Sequence, residues 1–381
     1  MFSSRKVEKG TYESIRLRFI ASGLHPDHDT MANFRKTFLA EIQDLFVQVL
    51  LLAKTAGVLK VGNISLDGTK IHADASKSKA VSYQRLGEQA VQLRHEVQEL
   101  MALGEAADQG DLVLPEGRVI VDEITLRQER LENLAQARTV LEARAQDRYE
   151  VEKAEYDAKV QRRQTQARHA KRKPGGRSPK APQPGPRDKD QYNFTDPDSR
   201  IMKNSADKGL DQHYNAQIAV TQDSLFIVGH SLSNPPNDQQ ELTPTLDAIS
   251  PSVGQVKAAA VDNGYFSQAN IAACVERPIE PYIATGRELH HRSWQTFFAH
   301  QCTPPSDNAS PTVKMAYTLQ TEIGQAIYRL RKCTVEPVIG IIKEVLGFRQ
   351  FSLRGLDAAP GEWRLVCLAF DLKRWHTLSS A

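Results

Sequence analysis

The sequence VKAAAVDNGYF, residues 256–266, joins a short apolar run to one acid and a turn. Small and β-branched residues up to Val261 predict a buried strand, and Asn263-Gly264 predicts a turn before the next helix. An acid at the carboxyl end of such a strand points into the crevice where α/β folds bind their ligands. Asp262 is therefore a candidate site residue, with an ordinary turn aspartate as the alternative reading.

The sequence around this stretch, residues 192–381, alternates predicted strands and helices. The strands are expected at 214–221, 225–230, 256–261 and 281–284, and the helices at 242–249, 268–276, 326–345 and 361–376. Such alternation is typical of an α/β domain.

A second acid occurs far upstream, in ISLDGTK at residues 64–70. The preceding apolar residues, from Val58, predict a strand that ends at Leu66. Asp67-Gly68 is a strong hairpin-turn signal, so residues 69–73 are expected to form the return strand. Asp67 is a candidate site residue or a plain turn residue.

A third acid lies in YRLRKCTVEPVIGIIK, residues 328–343, within a predicted helix. Lys332, Glu336 and Lys343 fall on one helical face, while most of the other positions are apolar. A line of charges on a mostly buried helix indicates a cleft, although an i,i+4 salt bridge would explain the pair alone.

The chain between the first and second acids is different in character. Residues 78–165 carry a heptad seam that includes Leu86, Ala90 and Leu93, and turn residues at 109–118 predict a helical hairpin. The stretch from Gln161 to Arg187 has nine Lys or Arg and no acid, with several prolines, and predicts an extended linker that tracks DNA phosphates or merely solubilises the chain.

These patterns give a division of the chain into five segments. They are an N-terminal helical region, the first core strands, the helical hairpin, the basic linker and the remainder of the core, at 1–57, 58–77, 78–165, 166–191 and 192–381.

The bulk composition excludes several classes of protein. There is no apolar run long enough for a transmembrane helix, no signal-peptide core at the start, and no Cys-x-x-Cys pair among four cysteines. We expect a cytoplasmic protein without a membrane partner. His290, His291 and His300 read as loop histidines, and Trp294 as a core residue or a DNA contact.

The three acids and their surroundings resemble those of the DDE transposases of bacterial insertion sequences. The resemblance is carried by LDGTK at 66–70, DNGYF at 262–266, the Tyr328 to Lys343 stretch, HPDHDT at 25–30, YNAQ at 214–217, Asn237-Asp238 and FRQF at 348–351. It implies a ribonuclease-H-like mixed sheet flanked by helices, interrupted by a long helical-hairpin insertion, with an N-terminal helical region.

The resemblance also implies the chemistry. Asp67, Asp262 and Glu336 would be the catalytic acids and would hold two Mg²⁺ ions, with Mn²⁺ as a substitute. The spacing leaves Arg331 and Lys332 as alternatives for the basic residue before Glu336.

DNA and a second copy of the chain are the implied partners. Tyr328, Lys343 and the basic residue chosen from Arg331 and Lys332 would bind DNA. The substrates would be the terminal inverted repeats of the element and target DNA, joined by a homodimer. Such families usually have further N-terminal helices, so the chain is interpreted as an N-terminally truncated copy. The rival hypotheses are a DNA-binding remnant without activity and a ribonuclease-H-like nuclease without strand transfer.

Overall fold

The computed structural model describes residues 3–109, 119–170, 176–204, 209–286 and 304–380. The chain divides into two compact units, Met1–Ala75 with Asp198–Ala381 and Ser76–Pro197. The strands, in chain order, are β1 Asn63–His72, β2 Ala80–Ser82, β3 Gln191–Asn193, β4 Arg200–Lys203, β5 Leu210–Thr221, β6 Ile227–Ser233, β7 Ala258–Val261 and β8 Glu280–Ile283. The helices are α1 Ser4–Glu13, α2 Ile15–Ile20, α3 His28–Thr37, α4 Leu39–Thr55, α5 Tyr83–Asp108, α6 Ile120–Ala170, α7 Leu242–Asp247, α8 Gln268–Glu276, α9 Pro311–Thr318, α10 Glu322–Gly340 and α11 Ala359–Ser379.

The first unit is built on a mixed sheet with β1 near its centre. On one side β5 runs antiparallel to β1, and both β4 and β6 pair with the outer edge of β5. On the other side β7 is parallel to β1, and β8 is parallel to β7. This mixed α/β arrangement is consistent with the expected ribonuclease-H-like core.

The hairpin predicted at Asp67-Gly68 is wrong. β1 continues through both residues, and β5 pairs with it from Ile64↔Thr221 to His72↔His213. Because a neighbouring strand supplies ladder hydrogen bonds along the whole length, the local turn preference of Asp-Gly is overridden. Asp67 therefore lies in the middle of a strand rather than after one.

The helix that carries the third acid packs on this sheet. Val335, Val338 and Ile342 are fully buried in the main apolar core together with Leu66 and Ile71 of β1. The helix contains Pro337 and passes into a π-helical turn at Ile341–Val345. Proline lacks an amide hydrogen, so the helix loses the regular hydrogen bond from position 337 to the carbonyl of Cys333.

The second unit contains the predicted pair of long helices. Leu86 of α5 and Leu134, Ala137 and Leu141 of α6 form its buried cluster, with Ala90 and Leu93 packed against them. The expected reversal at 110–118 lies outside the described residues. Helix α6 continues to Ala170, past the position where the basic linker was expected to begin, because arginine, glutamine and alanine are good helix formers.

No helix among the described residues is long and apolar enough to cross a membrane.

Candidate active site

The two aspartates lie side by side on neighbouring parallel strands. β1 and β7 pair as far as Ser65↔Ala260, and both Asp67 and Asp262 stand two residues beyond that pair. Parallel strands in register carry equivalent positions to the same level of the sheet. The sheet therefore brings together two acids that are separated by about half the length of the chain.

Asp262 has a structural role of its own at this point. It follows β7 as predicted, and its Oδ1 accepts a hydrogen bond of 2.8 Å from the amide of Gly264. This contact caps the short 3₁₀ turn Asn263–Tyr265. The capping bond fixes the side chain, and it leaves the second carboxylate oxygen for other partners.

Arg331 of α10 is the basic residue that reaches the acids. Its Nη1 donates to Asp67 Oδ2 at 3.1 Å, and its Nη2 lies 4.0 Å from Glu336 Oε1. The Arg331 side chain is only 9 % exposed, whereas that of Glu336 is 55 % exposed. One guanidinium thus connects the first acid of the sheet to the third acid on the helix.

The other residues predicted to bind DNA lie on the same helix as Arg331 or in the π-helical turn that follows it. Tyr328 places its ring 5.9 Å from the guanidinium carbon of Arg331, and Lys332, the next residue along α10, is exposed. Lys343, in the π-helical turn, donates from Nζ to the carbonyl of Lys70 at 3.1 Å. Lys343 therefore contacts β1 three residues beyond Asp67.

The pKa values of the charged groups in the cleft are shifted by burial and by the charges that lie close to them. Burial raises the pKa of Asp67 from 3.8 to about 6, Arg331 opposes that shift, and the charges of Asp262 and Asp238 add to it. Burial also lowers the pKa of Lys343, with Arg349 contributing. Burial lowers the pKa of Arg331, but the interactions with Asp67, Tyr328 and Asp262 together outweigh that effect, so the pKa is raised.

The raised pKa of Asp67 predicts a specific pH dependence of stability. Between about pH 4 and 6 the folded state holds a proton on Asp67 that the unfolded chain releases, so this group makes the free energy of unfolding fall as the pH rises. A shift of about 2 units corresponds to about 3 kcal/mol, reached in full above pH 6. Urea unfolding of the wild type and Asp67→Asn in EDTA at pH 4, 5, 6 and 7.5 checks this. The difference between their curves should change over that window, and a constant difference would contradict the assignment.

The acids fit a divalent cation in ligand type. Carboxylate oxygens are the ligands that Mg²⁺ prefers, and Asp67 and Asp262 stand at the same level of the sheet. Glu336, however, faces Arg331, and the described part of the chain has no group of three potential ligands close enough to hold a metal ion. The two aspartates are thus the residues that fit such an ion, with the Arg331 guanidinium beside one of them.

Sequence reasoning missed the role of Asp238 and its neighbours. Asp238 Oδ1 accepts hydrogen bonds from Asn215 Nδ2 and Gln217 Nε2, both at 2.8 Å, and the acid lies close to Gly68 and Gly264. In the sequence, YNAQ and Asn237-Asp238 indicate only the family resemblance. The available signal was a pair of amide side chains in a predicted buried strand, followed by an aspartate in a nearby loop, which is a combination that favours a polar network.

The fold and the cleft together define a class of protein. A mixed α/β sheet that places two carboxylates at the same level, with a helix that supplies an arginine and a third acid, has the groups that metal-assisted phosphoryl transfer requires.

A comparison of the sequence with models of known protein families supports a more specific class. Residues 299–376 match the family model described as a transposase DDE domain, and the match supports a DDE-type transposase. The matched segment contains Tyr328, Arg331, Lys332, Glu336 and Lys343. No curated protein and no solved structure matches the chain significantly.

Asp67 and Asp262 lie outside the matched segment, so their assignment rests on the geometry described above. His290, His291, His300 and Trp294 lie outside the described residues.

Proposed function

We propose that the protein is a transposase that cleaves DNA strands at the terminal inverted repeats of a bacterial insertion sequence and joins them to target DNA. The observation that carries the proposal is the Arg331 guanidinium. It connects Asp67, beside Asp262, to Glu336 within the segment similar to a transposase DDE domain. The proposed catalytic acids are Asp67, Asp262 and Glu336.

Asp67 and Asp262 would hold Mg²⁺ or Mn²⁺, with Glu336 as the third ligand. Such ions activate water and stabilise the leaving oxygen of a scissile phosphate. The hydrogen bond from the Gly264 amide holds Oδ1 of Asp262, and its Oδ2 would bind the ion. Arg331 keeps the charge of Asp67 compensated in a site that is largely shielded from water.

DNA contacts are proposed for the cations on and beside α10. Lys343 and Arg331 would hold phosphate oxygens, with Tyr328 stacked near the guanidinium and Lys332 on the exposed side. The basic segment from Gln161 to Arg187 and the helical region 1–57 would add contacts to the repeat. Two copies would be needed to join two ends, and the enzyme would act in the cytoplasm, on nucleoid DNA.

A cleavage and joining assay tests this proposal. Duplexes that carry the inverted repeats flanking the reading frame are incubated with the protein in Mg²⁺, in Mn²⁺ and in EDTA. Precut repeat ends with a free 3′-hydroxyl are offered together with a plasmid target. We expect strand cleavage at the repeat boundary with either metal, joined products from the precut ends, and neither reaction in EDTA.

The other outcomes separate the rival functions. Cleavage without any joined product would identify a nuclease that lacks strand transfer. Binding of the repeats without cleavage in either metal would identify an inactive DNA-binding remnant. Cleavage that persists unchanged in EDTA would contradict the role of the acids altogether.

A further inference from the structure

A buried polar network connects the surroundings of the two aspartates, and it is organised by Asp238. Gln217 Nε2 donates to Asp238 Oδ1 at 2.8 Å and to Asn215 Oδ1 at 3.0 Å. Both Nε2 hydrogens are thus used, which fixes the orientation of the amide and turns its Oε1 the other way. That Oε1 accepts the hydroxyl of Tyr265 in a short hydrogen bond.

One end of the network lies against the first acid. Gln217 is the register partner of Gly68, the residue after Asp67. A Cβ at Gly68 would come 2.2 Å from Gln217 Nε2 and 2.8 Å from Asp238 Oδ1, so only glycine admits the amide and the carboxylate at this distance from β1. Glycine at position 68 is therefore explained by the close packing of Gln217 and Asp238 against β1, and not by a turn.

The other end supports the second acid. Tyr265 is fully buried and is the last residue of the turn that Asp262 caps. Its hydroxyl donates to Gln217 Oε1. A second connection runs through Asn270, whose Nδ2 donates to the carbonyl of Tyr265 at 2.6 Å and to the carbonyl of Gln239 at 2.8 Å. The segment that carries Asp238 and the turn that carries Asp262 are thus joined twice.

Position 238 needs a hydrogen-bond acceptor in this network, because its Oδ1 receives an N–H group from each of two buried amides. Asn215 and Gln217 are 1 % and 0 % exposed, and their amide nitrogens make four donor contacts: two to Asp238 Oδ1, one to Asn215 Oδ1 and one to the carbonyl of Pro235. A carboxylate accepts several hydrogen bonds and donates none, and bonds to an ionised acceptor are the stronger kind. Loss of that acceptor would leave buried N–H groups unpaired and free the Gln217 amide to reverse.

We propose that Asp238 is a positioning residue for the reaction, which acts through Gln217 and Tyr265 to hold the Asp262 turn against the Asp67 strand. This inference rests on the proposed function. Asp238 itself need not touch DNA. A displacement of a catalytic group by about 1 Å lowers the reaction rate by up to about 100-fold. We therefore expect loss of the network to lower the rate by up to that amount.

The first experiment measures cleavage of a repeat duplex by Asp238→Ala, Asp238→Asn and Tyr265→Phe. We expect Asp238→Ala and Tyr265→Phe to lower kcat by about 10- to 100-fold with KM changed less than about twofold. Asp238→Asn should recover most of the rate, since its Oδ1 still accepts from Gln217. The combination of Asp238→Ala with Tyr265→Phe should be no slower than the slower single variant, because both changes interrupt one network. Asp223→Asn, an exposed acid elsewhere on the same unit, is the matched control and should cleave normally.

A second readout does not depend on activity. 3-Fluorotyrosine placed at position 265 reports the hydroxyl environment by ¹⁹F NMR. We expect the resonance to shift in Asp238→Ala and to stay near its original position in Asp238→Asn and Asp223→Asn. If Asp238→Ala does not fold, Tyr265→Phe, which removes one hydroxyl group, decides the kinetic arm.

The outcomes are distinguishable from those for the proposed function. A wild type that does not cleave defeats the proposed function, while the ¹⁹F resonance still decides whether Asp238 governs Tyr265. A normal kcat in both Asp238→Ala and Tyr265→Phe, or an unmoved resonance in Asp238→Ala, overturns the inference. So does an Asp238→Asn variant as slow as Asp238→Ala, because charge rather than hydrogen bonding would then be the cause.

Discussion

We expect Asp262→Asn to abolish the proposed Mg²⁺-dependent cleavage of a terminal-repeat duplex, a loss of more than about 10³-fold, and to leave DNA binding largely intact. The amide oxygen of asparagine still accepts from Gly264, so the turn keeps its cap. What disappears is the negative charge beside Asp67 at the end of the parallel strands. A neutral amide is a poor ligand for Mg²⁺ and does not attract the ion into the cleft.

Denaturing gels that follow cleavage of an end-labelled repeat, with binding measured by fluorescence anisotropy, check this result. Asp247→Asn is the control, because that acid makes a surface ion pair with Arg277 away from the cleft. The control should cleave at the wild-type rate. Full cleavage by Asp262→Asn would remove this acid from the active site and with it the two-aspartate assignment.

Arg331→Ala is expected to damage both stability and activity. It leaves the Asp67 carboxylate, 19 % exposed, without its charged partner, and breaking a buried pair from one side costs about 3 kcal/mol. The loss should be large at pH 8, where Asp67 is ionised, and smaller at pH 5, below its pKa of about 6. Cleavage should fall by about 100-fold or more, since a fixed positive charge near the scissile phosphate is lost.

Lys332→Ala is the matched control for Arg331→Ala, since it removes one positive charge from the same turn of α10 at an exposed position. We expect a stability change of less than about 1 kcal/mol, and a smaller loss of cleavage than in Arg331→Ala, because Lys332 would contact DNA without pairing with Asp67. Urea unfolding at pH 5 and pH 8, with cleavage rates for both variants, measures the contrast. Equal losses of stability in the two variants, or a loss in Arg331→Ala that does not depend on pH, would mean that the contact between Arg331 and Asp67 does not stabilise the fold.

Much of the fold could be predicted because it is encoded locally. The strands that became β5 to β8 and the helices that became α8, α10 and α11 follow apolar runs, capping residues and periodicity. Ser267 caps α8 by accepting from the amide of Asn270, and serine is among the preferred residues at this position. The heptad seam likewise predicted the packed face of α5, where Leu86 is buried and Ala90 and Leu93 pack against its cluster.

The failure at Asp67-Gly68 shows where local signals stop. Asp-Gly is a turn signal in a short window, but β5 runs alongside β1 across that point, and Gln217 occupies the space that the glycine leaves open. A hairpin preference is worth little against a ladder of long-range hydrogen bonds and a buried sheet. No window of sequence around residue 67 contains that information.

The sequence by itself determined the types of group that the site needs, which are three acids in distinctive surroundings and a basic helix, and it determined the elements that carry them. Tertiary structure alone decided how they meet. Parallel pairing of β1 with β7 sets Asp67 beside Asp262, and the rotation of α10 on the sheet turns Arg331, rather than Lys332, towards Asp67. The packing of β5 against Gly68 admits Gln217 and Asp238 to the same place. Register and helix rotation depend on contacts between residues far apart in the chain, and a local pattern cannot specify them.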